Sequence, residues 1–160
     1  MLNIKKLLPK NFYNCYNLIT TNNQEKIYFK KLGWGINQFK NQLIKENNFS
    51  LALFDDDLMI SFIIGDIISI EKIIEYEILL IYVNFNYRQL SYASKLLNEI
   101  ELVLKSSILK KIYLEVSLDN IPAIKLYEKN NFIKTDIRKK YYNFNDKKVD
   151  AFIFEKIINE

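Results

Sequence analysis

The stretch Glu77-Ile-Leu-Leu-Ile-Tyr-Val-Asn-Phe-Asn-Tyr-Arg-Gln-Leu-Ser-Tyr-Ala93 decides the fold. It starts as a nearly unbroken apolar strand and turns through a polar loop. It then enters a segment in which Leu96, Leu97, Ile100, Val103 and Leu104 recur at helical spacing, so Tyr92 to Lys105 reads as a helix with one buried stripe. A second strand, Ile112-Tyr-Leu-Glu-Val116, leads to Asp119-Asn120 and a helix that carries Tyr127. A strand-loop-helix junction collects free backbone N–H groups at the helix N-terminus, where an anion is favoured. We read the loop as the cradle for the pyrophosphate of a nucleotide cofactor, with Glu115 and Tyr127 placed for proton chemistry beside it.

Outward from this core the chain punctuates itself. Residues 2–6 suit a short strand, and Pro9 suits a first helical position ahead of Phe12, Cys15, Tyr16 and Ile19. Helical segments are expected at about 24–32, ending at Gly33-Trp34-Gly35, and at about 37–45. From Phe49 the period changes to strands over 49–54 and 58–70, with Asp55-Asp-Asp57 between them as a hairpin turn. Three aspartates in a row fit a cation site or a solvated turn; with no other ligands spaced around them, the turn is favoured. Residues 71–76 are expected as a turn or short linker. The run 77–85 reads as a central strand buried on both faces. Asn120 looks like an N-cap, and strands over about 132–144 and 149–158, joined through Asn145-Asp-Lys-Lys148, close the chain. The order predicts an α+β fold with a mixed sheet. Its parallel part lies around 77–85 and 111–116, because a helix links those strands as a crossover.

Length and composition limit the chemistry. At 160 residues, 49% apolar and 26% charged, the chain has the size and composition of one globular domain over residues 1–160, with no linker or internal repeat. It has no histidine and one cysteine, Cys15. That excludes Ser-His-Asp and Cys-His catalysis, an internal disulfide and a plausible zinc site, and leaves acid–base work to carboxylates, tyrosines and lysines. A net charge of +4 is too mild for a dedicated nucleic-acid binder. No secretory leader is visible, and the oily run 58–70 is interrupted by Asp66 and too short for a membrane span. A soluble, cytoplasmic monomer is therefore expected.

Arg88-Gln-Leu-Ser91-Tyr-Ala93 resembles the acetyl-CoA loop of the GNAT (Gcn5-related) N-acetyltransferases, written Gln/Arg-x-x-Gly-x-Gly/Ala. The flanks Ile81-Tyr-Val83 and Lys95-Leu-Leu97 agree with that family. So do Leu114-Glu-Val116, Asn120, Ala123-Ile124, Leu126-Tyr-Glu128 and Asn131-Phe132 downstream. Within the family the chain is most similar to the RimI-type ribosomal-protein-alanine N-acetyltransferases. Glu115, Tyr127 twelve positions later, Ile137-Arg138, the pair Tyr141-Tyr142, Asp150-Ala151 and Trp34 carry that likeness. The match is dense from about 77 to 155 and thin before it. The departure is Ser91, where the family has glycine and a backbone free to approach the pyrophosphate.

The resemblance implies a mixed sheet splayed around an acetyl-CoA site with helices on both faces. It also implies direct acetyl transfer without a metal, to the N-terminal α-amine of a protein, specifically a ribosomal protein beginning with alanine. An α-amine, with a pKa of about 7.7–8.0 against about 10.4 for lysine, is the easier to deprotonate. Glu115 is then the general base and Tyr127 the general acid. Backbone N–H groups of Ile81, Tyr82 and Val83 meet the thioester oxygen. Arg88, Gln89, Leu90, Ser91, Tyr92, Ala93 and Ser94 form the phosphate cradle, Lys95 adds charge, and Asn120 contacts the pantetheine side. Trp34, Tyr141 and Tyr142 line the acceptor groove. Each role has a plainer alternative: Glu115 paired with a lysine, Tyr127 and the aromatics as core, Asn120 as an N-cap alone, and Arg138-Lys139-Lys140 as a solvated β face. A lysine or small amine as acceptor stays open as well, as does a non-catalytic domain that only binds a partner.

Overall fold

β-Branched and aromatic runs set the strands, and a bulge in the central one sets the faces it shows. The computed structural model describes residues 1–105 and 108–159. Strand β1 (Leu2–Lys6) is followed by α1 (Phe12–Thr20), α2 (Asn23–Lys31) and α3 (Ile36–Leu43). Then come β2 (Leu51–Asp55), β3 (Leu58–Ile70), β4 (Ile73–Val83), α4 (Tyr92–Lys105), β5 (Leu109–Ser117), α5 (Ile121–Lys129), β6 (Ile133–Phe144) and β7 (Lys147–Ile157). The sheet runs β1-β2-β3-β4-β5-β7-β6. Among the described residues the one parallel pair, β4 with β5, is joined by the α4 crossover, as the helical spacing predicted.

Helices cover both faces. On one side α1, α2 and α3 bury Cys15, Leu18, Ile19, Phe29, Trp34, Phe39 and Leu43 against Phe62, Ile64, Leu80 and Tyr82. On the other, Leu96, Leu97, Ile100 and Leu104 of α4 and Tyr127 of α5 pack on Tyr76, Ile78, Ile112, Leu114, Val116 and Phe154. Each of these large side chains contributes about 1.5–3 kcal/mol by leaving water. Val103, expected in the α4 stripe, is instead 41% exposed, because the stripe closes on Leu104. No helix among the described residues is long and apolar enough to cross a membrane.

Two expectations need correction at the centre. Residues 71–76 are not a linker: only Glu71 and Lys72 turn, with Glu71 at φ +53, and the β-branched Ile73 and Ile74 already belong to β4. β4 is central but not buried on both faces; one set of its side chains is buried and the alternating set is only half-buried. The cause is a bulge. Ile64 pairs with Leu80 and Gly65 with Ile78, leaving Leu79 as the extra residue. Tyr76 and Ile78 therefore point to the α4 side, while Leu80 and Tyr82 point to the α1 side. Gly65 is required there, since a Cβ would come within 2.4 Å of the Tyr76 ring and the Glu77 carbonyl.

β4 and β5 pair only from Ile74–Leu109 to Ile78–Leu114, although β4 continues to Val83 and β5 to Ser117. Beyond that pair the two strands part, and the site lies in the opening.

Candidate active site

The opening exposes an unpaired edge of β4. Asn84 donates its N–H to Ile60 O at 2.9 Å, so alternate residues of this strand end turn their backbone toward β3. By the two-residue period, Tyr82 does the same while Ile81 and Val83 turn their N–H and C=O groups into the gap. Of the three residues expected to offer donors, two are free to do so, and Tyr82 contributes its side chain instead.

The loop after β4 leads to the N-terminus of α4. Gln89 and Ser91 both lie in the left-handed region, at φ +62 and +61. At both positions the backbone takes a conformation that glycine adopts without strain. The Ser91 carbonyl accepts from Lys95 N–H at 3.0 Å and so starts the helix. A cleft of about 1310 Å³ runs from this loop between β4 and the first turn of α5. Ile81, Tyr82, Val83, Arg88, Gln89, Ser91, Tyr92, Ala93, Ser94 and Asn120 all line it. Leu90 does not; its side chain is 53% exposed, because the left-handed residues on either side turn it outward. Lys95 sits 5.5 Å above the Tyr92 ring.

Arg88 is structural as well as cationic. Its Nε donates to Val83 O at 3.0 Å and its guanidinium pairs with Glu25, which also accepts the Tyr82 hydroxyl at 2.5 Å. Glu25 is in the first turn of α2, where Asn22 caps Gln24 and Glu25 N–H. The network ties the loop, the end of β4 and α2 together. Burial and then Glu25 push the Tyr82 phenol up. Asn120 is an N-cap, accepting Ala123 N–H at 3.3 Å, and it faces the cleft at the same time. Ser94 accepts from Asn130 Nδ2 at 2.9 Å, which holds α4 to α5.

Glu115 is the first β5 residue past the last β4 partner. Leu114 and Val116 face the α4-side core, so Glu115 points to the opposite side. There Arg138 Nη1 donates to it at 2.6 Å, and Arg138 lies 4.3 Å from the Tyr141 ring. The Glu115 carboxylate beside it, and then burial, raise the Tyr141 phenol. Tyr142 donates to the Glu115 carbonyl at 3.4 Å. The partner of Glu115 is thus an arginine two strands away rather than a lysine neighbour.

Tyr127 is only 5% exposed, with its ring 5.6 Å from Phe132 and 6.2 Å from Phe154. Burial, and then Tyr142, push its phenol well above the ordinary value of 10. Glu115 and Tyr127 therefore lie on opposite faces of the sheet and neither lines the cleft, with Tyr142 close to both. Trp34 does not reach the groove: it is 9% exposed and packs on Phe39 at 5.0 Å, because α3 folds the aromatic pair into the core. Tyr141 and Tyr142 remain at the mouth, 4.9 Å apart.

Sequence reasoning missed two features. Glu77 interrupts an apolar strand and faces the same side as Glu115, opposite Asp66 and Tyr113 in register. Burial and then Glu115 and Asp66 raise its carboxyl, a shift that suits proton uptake. The charge inside an oily run was the available signal. The other feature is a stack across the mouth: Tyr28 of α2 lies on Phe144 at 5.8 Å, and Phe144 on Tyr142 at 5.7 Å. Nothing in the sequence marked Tyr28 or Phe144 among so many aromatics.

The residue pattern of the acetyltransferase (GNAT) family matches residues 10–132. No protein of curated function matches the chain by sequence. Similar solved structures include Arabidopsis thaliana NAA60 in complex with a bisubstrate analogue, at 20% identity and a TM-score of 0.83, covering 99% of both chains. The ribosomal-protein-S18-alanine N-acetyltransferase from Escherichia coli has 23% identity and a TM-score of 0.82, with 100% of this chain and 96% of that one covered. The PaiA N-acetyltransferase from Thermoplasma acidophilum in complex with coenzyme A has 19% identity and a TM-score of 0.77, with 99% of both chains covered. At these identities the likeness is one of fold.

Proposed function

Because the chain belongs to the acetyltransferase (GNAT) family, we propose that it transfers acetyl from acetyl-CoA to the N-terminal α-amine of a protein, a ribosomal protein beginning with alanine being the specific candidate. The observation that supports this most is the parted β4–β5 edge. We read its two unpaired backbone donors, with the α4 N-terminus and a carboxylate nearby in the fold, as the seat of the thioester. The residues present fit the cofactor: a left-handed loop at the tip of α4 for phosphates, and an unpaired strand edge for an amide-bearing arm.

Acetyl-CoA, when bound, supplies a thioester carbonyl, from which acetyl passes to nitrogen as the C–N bond forms and the C–S bond breaks. Ile81 and Val83 N–H groups offer the donors for charge that develops on a carbonyl oxygen. Glu115 Oε1, aimed by Arg138, takes a proton from the acceptor ammonium. Tyr127 Oη holds the proton required by a departing thiolate. Its burial disfavours the phenolate, so the remaining proton of the attacking amine must reach Tyr127 as its own proton passes to the sulfur. Tyr141 and Tyr142 would flank the acceptor chain. The Escherichia coli enzyme of similar fold is by its name a ribosomal-protein-S18-alanine N-acetyltransferase, which favours this acceptor among the amines open to the fold.

The test uses the full chain, acetyl-CoA and a short peptide beginning with alanine, followed by release of free thiol. The same peptide blocked at its N-terminus, a blocked peptide with an internal lysine, and a polyamine are the comparisons. Acetylation of the free peptide alone is expected. Equal turnover of the blocked peptide would overturn the α-amine reading.

A further inference from the structure

The two walls of the cleft mouth are α2 and the β6–β7 hairpin, joined by the Tyr28–Phe144 stack. Between them, residues 23–31 and 138–148 carry eight basic side chains against two acidic ones, an excess larger than the net charge of +4 of the whole chain. The positive charge of this protein is thus concentrated at the mouth, and the rest is net acidic. The two acids are poorly placed to neutralise it. Glu25 is engaged by Arg88 and Tyr82, and Asp146 stands at the hairpin tip. Of the bases, Arg138 is held by Glu115, and Lys147 comes only to 3.9 Å from Asp119, with both side chains mostly exposed. Among the described residues, no carboxylate pairs with Lys26, Lys30, Lys31, Lys139 or Lys148, and all five are exposed. Lys31 and Lys147 line the cleft itself, one from each wall.

The floor has the opposite sign. Behind the rim, Glu77 and Glu115 stand on the α1 side of the sheet, Glu115 paired with Arg138; burial and then the charges of Glu115 and Asp66 raise the Glu77 carboxyl, while Asp66 itself is held by Lys45 and Gln42. A site that is negative inside and positive at its rim attracts an acceptor with a cationic end and an anionic continuation. Resting on the α-amine reading above, we propose that the mouth formed by α2 and the β6–β7 hairpin selects acceptor N-termini whose first residues are followed by acidic ones, with Lys31 and Lys147 as specificity-determining residues. An acidic peptide fits better than a nucleic acid. A polyanionic backbone needs a continuous basic track, whereas here the basic rim surrounds an acidic floor.

The experiment compares three peptides with the same alanine start and neutral, glutamate-rich or lysine-rich continuations, using the full chain and acetyl-CoA at low and high salt. Expected is kcat/KM highest for the glutamate peptide and lowest for the lysine peptide, with a spread of about tenfold at low ionic strength. It should collapse near 1 M salt, where the screening length is about 3 Å. The pair Lys31→Glu with Lys147→Glu should reverse the order. A flat ranking, or preference for the lysine peptide, with the neutral peptide still acetylated, overturns this inference and leaves the α-amine reading standing. No turnover of any of the three overturns both. If the charge reversals change only KM for acetyl-CoA, the lysines serve the cofactor phosphates. If instead they abolish binding of an RNA oligonucleotide while the peptide ranking is flat, the rim is a nucleic-acid surface. Either result refutes acceptor selection.

Discussion

Ser91→Gly should make this protein more stable. Ser91 holds φ +61 at the entry to α4, and a side chain with a Cβ in the left-handed region costs about 1–2 kcal/mol. Glycine loses more chain entropy on folding, about 0.5–1 kcal/mol, so the net gain is about 0.5–1 kcal/mol. For a chain of this size, that corresponds to a rise in Tm of about 1–4 °C. Thermal unfolding with and without acetyl-CoA, together with calorimetric titration of acetyl-CoA, measures both consequences. The strain is present before and after loading, so its release alone leaves affinity unchanged; any tightening reports the Cβ crowding the phosphates. Ser91→Ala keeps the Cβ and should show no rise. If Ser91→Gly melts at or below the parent temperature, the serine side chain contributes more than its backbone costs, and the account of this loop is wrong.

Other variants separate chemistry from scaffold. Glu115→Gln should lower kcat by about 10²–10⁴-fold yet move Tm only slightly, because Arg138, its ion-pair partner, is 56% exposed and solvent screens the pair; unchanged turnover would remove Glu115 from the mechanism. Tyr127→Phe should lower kcat with little effect on KM for acetyl-CoA, and equal loss of both would mark a packing role. Glu77 has a folded pKa raised above its unfolded value, so its protonated form is the one folding favours, and that contribution is lost as pH rises through the folded pKa. Glu77→Gln should therefore melt higher than the parent at pH 7–8 and converge with it in acid (thermal scans from about pH 4 to 8 decide), and an advantage independent of pH would contradict the sign. Gly65→Ala forces a Cβ into the Tyr76 ring and the Glu77 carbonyl and should cost at least about 1–3 kcal/mol in urea unfolding; a neutral result would mean the bulge at Leu79 can be redrawn.

The central crossover was legible because period and residue type agreed: β-branched runs for β4 and β5, and a stripe every three to four residues for α4. The glycine-position serine was legible too, and its left-handed φ is one that glycine takes without strain. What escaped the sequence was set by tertiary geometry. A one-residue bulge at Leu79 leaves no compositional trace, yet it inverts which side chains of β4 meet which helices. The partner of Glu115 is Arg138, brought over by the β7–β6 order and not by proximity in the chain. Trp34 and Phe144 differ only in where α3 and the hairpin carry them, so an aromatic in one-dimensional text points equally to core or mouth.

The parting of β4 from β5 makes the molecule two half-sheets hinged along five residue pairs and the span of α4. A ligand lodged in the notch acts as a removable rung, stitching the halves by the same backbone contacts that a strand would make. Loading should consequently stiffen the whole body rather than the pocket alone, and amide exchange at Ile81 and Val83 should slow together with exchange in the neighbouring turn of β5.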